Sequence, residues 1–183
     1  MEAALGGFLP KCSGLPENFC VSLRTMNDDK LQQLIDRQAI TDGLHWYTRW
    51  VDLNRVDMQV QIFADDGRIS FGGDNWTVGR ANIQALIDPL VQLYAATHHY
   101  ITNVEITFDG ADEARSQCYL HAWHRPVAGG DNFVLYAQYH DRWVRTGEGW
   151  RIKERRLKTA ATEGRPGGEA GMDLIGRAPS RTA

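Results

Sequence analysis

No run of apolar residues in this chain approaches the roughly 20 needed to cross a bilayer as a helix, so a membrane span is not expected. Neither sign of charge dominates. Twenty lysines and arginines stand against 23 acidic residues, a net charge of −3, which leaves no broad basic footprint for nucleic acid or anionic lipid. The patterns GxGxxG, GxxxxGK[ST] and GxSxG are all missing, which argues against the common nucleotide-binding folds and a serine-hydrolase elbow. Cysteine is scarce and odd in number: Cys12, Cys20 and Cys118, with no metal-ligand spacing. For Cys118, in an apolar strand, a buried free thiol is the default. His121 and His124 fall on opposite faces of a regular strand and make a poor metal pair. No metal and no cofactor is therefore expected. The opening MEAALGGFLPK has neither a basic leader nor a long apolar core, so no secretory signal is expected, and the cysteine usage fits a reducing cytoplasm as the expected location.

What is present suits one globular domain with tails: 183 residues, 43% hydrophobic and 23% charged, enough to bury a sizeable core. Residues 1–25 show no sustained period, and 1–27 reads as a flexible leader, with Met26 a candidate domain start. From Asp28 to Asp52 the spacing predicts a long helix, capped by Asn27 or Asp28, with Leu31, Leu34, Ile35, Ile40, Leu44, Tyr47 and Val51 as its apolar stripe. A short helix is expected over 54–62, then a turn at ADDG (64–67), then a strand in RISFGG. A short strand in WTV and a helix disturbed by Pro89 follow. Four strands are expected at 99–108, 115–125, 132–145 and 149–158, separated by the turn signals DGADE, PVAGGD and TGEG. Helices first and a meander of long strands afterwards is an α+β pattern. The domain is expected to span 28–162. The Gly/Pro-rich tail, 163–183, is expected to be loosely ordered, with MDLI (172–175) a candidate lid.

In that order of elements, RQAITDGLHWYTRWVD (37–52), FADDGRISF (63–71), VGRANI (78–83), HHYITNVEI (98–106) and GWRIKERR (149–156) resemble the SnoaL-like branch of the NTF2-like superfamily. The resemblance implies a cone in which a curved, mixed or antiparallel sheet wraps around a pocket closed by N-terminal helices. Within the branch, the chain is similar to a dehydratase-type subset that includes bile-acid dehydratases, scytalone dehydratase and hexachlorocyclohexane dehydrochlorinase. That subset pairs an aspartate late in the first helix with a histidine opening a strand, and Asp52 and His99 match these positions. Tyr47 and Arg155 match further catalytic positions. His121 falls where relatives carry a second pocket residue, and Trp50 is a candidate for substrate contact. A homodimer or homotrimer through the outer face of the sheet is also implied.

The chemistry behind the match is simple. A neutral imidazole is a competent base near pH 7 if its tautomer and orientation are held, and a carboxylate on one ring nitrogen holds both. Tyr47, about 140° from Asp52 around an ideal helix, would flank the pocket and offer a phenolic proton. Arg155 would stabilise developing negative charge. Strand alternation alone does not favour His99, because Tyr100, Val104, Ile106 and Phe108 make the greasier face. The expectation is thus a cofactor-independent lyase of the dehydratase type acting on a hydrophobic ring-containing small molecule. The alternatives are a polyketide cyclase or steroid-type isomerase with the same pocket, and a non-catalytic subunit or ligand-binding member, such as a ring-hydroxylating dioxygenase small subunit.

Overall fold

The computed structural model describes residues 17–165 and 168–176, with side chains from Asp28 onward. The residues fall into two compact units, one ending at Asp36 and the other beginning at Arg37. The first is the opening part of helix α1 (Glu17–Asp52), where the Gln32 amide donates to Asp36 Oδ1 at 3.1 Å. The helix therefore starts well before Asp28. Residues 1–16 of the expected leader lie outside the described residues, as do 166–167 and 177–183 of the tail.

The second unit holds the rest of α1, a short α2 (Val56–Gln59) running into a 3-10 turn (Val60–Ile62), α3 (Arg80–Val91) and six strands. These are β1 (Phe63–Ser70), β2 (Thr77–Val78), β3 (Tyr94–Phe108), β4 (Glu113–Pro126), β5 (Phe133–Thr146) and β6 (Gly149–Glu163). Their order is β2-β1-β6-β5-β4-β3. The sheet is open, and antiparallel except where β1 runs parallel to β6. Four strands of 14 or 15 residues with tight connections are the expected meander. Among the described residues, no helix is long and apolar enough to cross a membrane.

ADDG is not a turn. Residues 63–70 form β1, and the pairing with β6 slips between Phe63 and Arg68. Gly67 is what permits the slip, because a Cβ there would lie 2.7 Å from the Ile152 carbonyl oxygen and 2.9 Å from that of Ala64. Asp65 and Asp66 pair with Arg80 and Lys153, respectively.

The core lies between α1, α3 and the inner face of the sheet, with Ile40 and Leu44, Ile83 and Ile87, and Ile152 and Trp143 as buried examples. The later half of α1 crosses that face. Arg37 Nη1 donates to the Ile106 carbonyl at 3.1 Å, and Tyr47 packs edge-on against Phe63 and Tyr139. Asn54, at φ +52°, then ends the helix with a left-handed residue. Asp52 is thereby left in the last turn.

Beyond Arg156, β6 has no β1 partner. The returning tail uses that edge: Thr159 N–H donates to the Asp173 carbonyl and Ile175 N–H to that of Thr159, each at 2.8 Å. Asp173 also meets Arg156 at 3.3 Å and Lys158 at 3.4 Å.

Candidate active site

A carboxylate in the last turn of a helix sits against the negative end of the helix dipole, so Asp52 needs donors. It has three. Thr97 Oγ1 donates to Oδ1 at 2.7 Å, the His99 backbone N–H donates to Oδ2 at 2.9 Å, and His99 Nδ1 lies 2.6 Å from Oδ1. Burial alone would raise the Asp52 acid. The hydrogen bonds and charge of His99, with the Thr97 hydroxyl, outweigh it and hold the carboxyl below its ordinary value. With Nδ1 committed to an ionised carboxylate, the ring carries its proton there, and Nε2 is the nitrogen left with a lone pair.

His99 reaches this position because β3 changes parity. Thr97, His99 and Ile101 face inward along its first half, and Val104, Ile106 and Phe108 along its second. The register against β4 slips between Thr102 and Glu105, where Asn103 takes φ +50°. One extra residue in a bulge moves every later side chain to the other face. Alternation read straight through the bulge puts His99 on the wrong side. The strand also starts at Tyr94, so His98 and His99 lie inside it, with His98 on the outer face against Tyr100 at 4.3 Å.

The His99 ring lines a cavity of about 530 Å³ whose walls are mostly apolar, among them Val51, Ile69, Leu86, Leu120, Leu135 and Met172. Tyr47 lines it too, from one turn earlier on α1. Burial pushes the Tyr47 phenol up, opposed by the neighbouring Arg155, so the phenol keeps its proton at neutral pH.

Arg155 is placed differently from the expectation. Its side chain is fully buried and does not line the cavity. It is clamped by Asp141 through Nε at 2.8 Å and Nη2 at 2.7 Å, between the rings of Tyr47 and Tyr139 at 4.2 and 4.0 Å. It meets the cavity wall through the rings of Tyr47 and Tyr139, both of which line the cavity. His121 is also outside the cavity, between Tyr100 and Tyr136 on the outer face of the sheet. Trp50 does not line it either; its ring meets Trp46 at 5.3 Å and the Arg55 guanidinium at 6.0 Å.

The second pocket histidine is His124, three residues along β4 and hence on the opposite face from His121. It is 8% exposed, and its ring centre lies 5.4 Å from that of His99. Burial and the nearby charge of His99 pull its pKa down to about 4. Sequence reasoning also passed over Thr97, which shares a face with His99, and Gln59, which lines the cavity from α2 with its buried Oε1 unpaired. Cys118 is a buried free thiol, pushed up to about 12 by burial. Among the described residues no three histidine, cysteine or acidic side chains converge as a metal site would require.

An open mixed sheet with α1 across its inner face and a cavity between them is the α+β NTF2-like arrangement. Residues 32–156, more than half of the chain, match the model of the SnoaL-like domain, and the chain belongs to that family. Its structural neighbours include a Novosphingobium aromaticivorans protein provisionally assigned as a scytalone dehydratase. That protein is 25% identical with a TM-score of 0.76, and the match covers 82% of this chain and 99% of that one. A Kribbella flavida protein is 26% identical with a TM-score of 0.67, covering 72% and 95%. A hexachlorocyclohexane dehydrochlorinase from Novosphingobium barchaimii is 20% identical with a TM-score of 0.68, covering 81% and 99%; at that identity the likeness is one of fold. Among curated protein sequences, none matches the chain significantly.

Proposed function

We propose that this protein is a cofactor-independent acid–base lyase that eliminates water, or an equivalent leaving group, from a hydrophobic ring-containing small molecule. The observation that carries the reading is the 2.6 Å contact between His99 Nδ1 and Asp52 Oδ1, made by a ring that lines an apolar cavity. Asp52 fixes the tautomer and stabilises the imidazolium, so that Nε2 is the base. Nε2 takes a proton from a ring carbon, the C–H pair becomes the new double bond, and the neighbouring C–O bond breaks. Tyr47 donates its proton to the departing oxygen, giving water, and the proton on His99 then passes through solvent to the Tyr47 phenolate, restoring both groups. Arg155 is a positioning residue that holds the Tyr47 ring from behind.

The test is a mass-spectrometric screen of cyclic β-hydroxy and β-halo ketones and related ring alcohols. At least one should lose water or hydrogen halide in the presence of the protein and not with His99→Gln. The same proton abstraction would serve an isomerase or cyclase, and a product of unchanged mass would assign those instead. Turnover that persists in His99→Gln would end the reading.

A further inference from the structure

The cavity has a second end, away from His99. His124 stands between the two: it meets His99 on one side, and Tyr94 at 4.5 Å and Phe133 at 4.8 Å on others. Register gathers these residues at one end of the sheet, since Tyr94 pairs with Pro126, His124 with Phe133, and Val134 with Glu163. Two residues past Glu163 comes Arg165. Between them Gly164, at φ +67°, presses so closely on the Asn132 carbonyl that a Cβ would overlap it. Only glycine takes that route without displacing the loop, and the route sets where Arg165 lies.

Of the lysines and arginines described, Arg165 alone lines the cavity, and no carboxylate among the described residues does. Its Nη1 donates to the carbonyls of Gly168 and Ala170. Its Nε and Nη2 have no hydrogen-bond partner, and it makes no ion pair, among the described residues. That edge of a guanidinium offers two parallel N–H groups matched to a carboxylate. The protein uses the same edge elsewhere: Arg55 grips Asp57, Arg115 grips Asp109 and Arg155 grips Asp141 through Nε and Nη2. Of these four arginines, only Arg165, the one that lines the cavity, has that edge without an anion among the described residues. Beside it, burial raises the Tyr94 phenol while the Arg165 charge opposes the rise, so Tyr94 is a neutral donor within the field of the guanidinium.

We propose that this end of the cavity reads a carboxylate. The substrate is an apolar ring compound with an anionic carboxylate seated against the Nε/Nη2 edge of Arg165 and the Tyr94 hydroxyl, while its reacting carbon lies at His99. The position of the reacting carbon rests on the lyase reading; the recognition of the anion does not.

The rival role for Arg165 is a staple for the turn at 168–170, and calorimetry with two probes of equal shape separates the roles. Biphenyl-4-carboxylate should bind the full chain roughly tenfold or more tighter than biphenyl-4-carboxamide, as a charge-assisted bidentate pair warrants. Arg165→Gln should abolish that preference and leave carboxamide affinity within about twofold. Arg165→Lys, with the charge but not the fork, should keep only part of it. Equal weakening of both probes by Arg165→Gln would make the residue a staple and overturn the proposal. So would a wild-type protein that binds both alike or neither. Carboxylate preference in a protein that eliminates nothing from any ring compound would sink the lyase reading alone. Elimination activity without the preference would sink only the anion site.

Discussion

Asp52 is at the end of its helix least suited to a carboxylate, and three donors converge on it there. Arg155 and Asp141 are paired in the same way deeper in the fold: both side chains are 0% exposed, and Asp141 accepts from Nε and Nη2 while Nη1 has no hydrogen-bond partner among the described residues. Breaking a buried, bidentate pair leaves an uncompensated charge in the interior. Asp141→Asn is therefore expected to cost about 3–5 kcal/mol in urea denaturation. His124 gives a pH signature. Its pKa is about 4 folded against 6.5 as the ordinary value, so between those limits the unfolded chain binds the extra proton. Its contribution is fully present above pH 6.5 and is lost as the pH falls toward 4, an effect of ~3 kcal/mol. In His124→Phe, the stability measured across that window should lose this part of its slope.

At the scale of elements, the site depends on the bulge in β3. Asn103 holds a positive φ that branched side chains resist, so Asn103→Val should destabilise the protein by about 1–2 kcal/mol, whereas Asn103→Gly should be close to neutral. Urea midpoints of the two variants check this. The tail segment around Met172 forms part of the cavity wall and is held at Thr159 by two backbone hydrogen bonds. Truncation after Glu163 should weaken binding of biphenyl-4-carboxamide by roughly tenfold through lost apolar contact; unchanged affinity would make the segment a passive covering.

These elements also show what could be read before folding. The four-strand meander was legible because DGADE, PVAGGD and TGEG are made of residues that turn the chain. The pairing of Asp52 with His99 was legible through a family pattern, not through periodicity. The parity change at Asn103 was not legible, since nothing in TNVEI marks a bulge until the strand is paired. The same blindness to which face is inner put His121 where His124 belongs. ADDG misled for a related reason: turn-forming residues also build a bulge, and only the close approach of Gly67 to Ile152 distinguishes the two. Arg155 lies in a cation-rich strand, and its burial is decided by Asp141, on a neighbouring strand and 14 residues away in sequence.

At the scale of the whole molecule, an open sheet with a helix across it makes a cavity with mostly apolar walls, which Tyr47, His99 and His124 line from α1, β3 and β4. Because no metal-ligand cluster forms among the described residues, turnover should survive exhaustive chelation; loss that added metal restores would refute a cofactor-independent mechanism. The most direct measurement is the turnover number of Asp52→Asn against the wild type on the first ring compound found to undergo elimination, with thermal unfolding recorded for both. If Asp52 orients His99, the variant folds but its turnover drops by about 10³–10⁴. A folded variant that turns over at the wild-type rate would show that His99 needs no partner there, and the base would have to be sought elsewhere in the cavity.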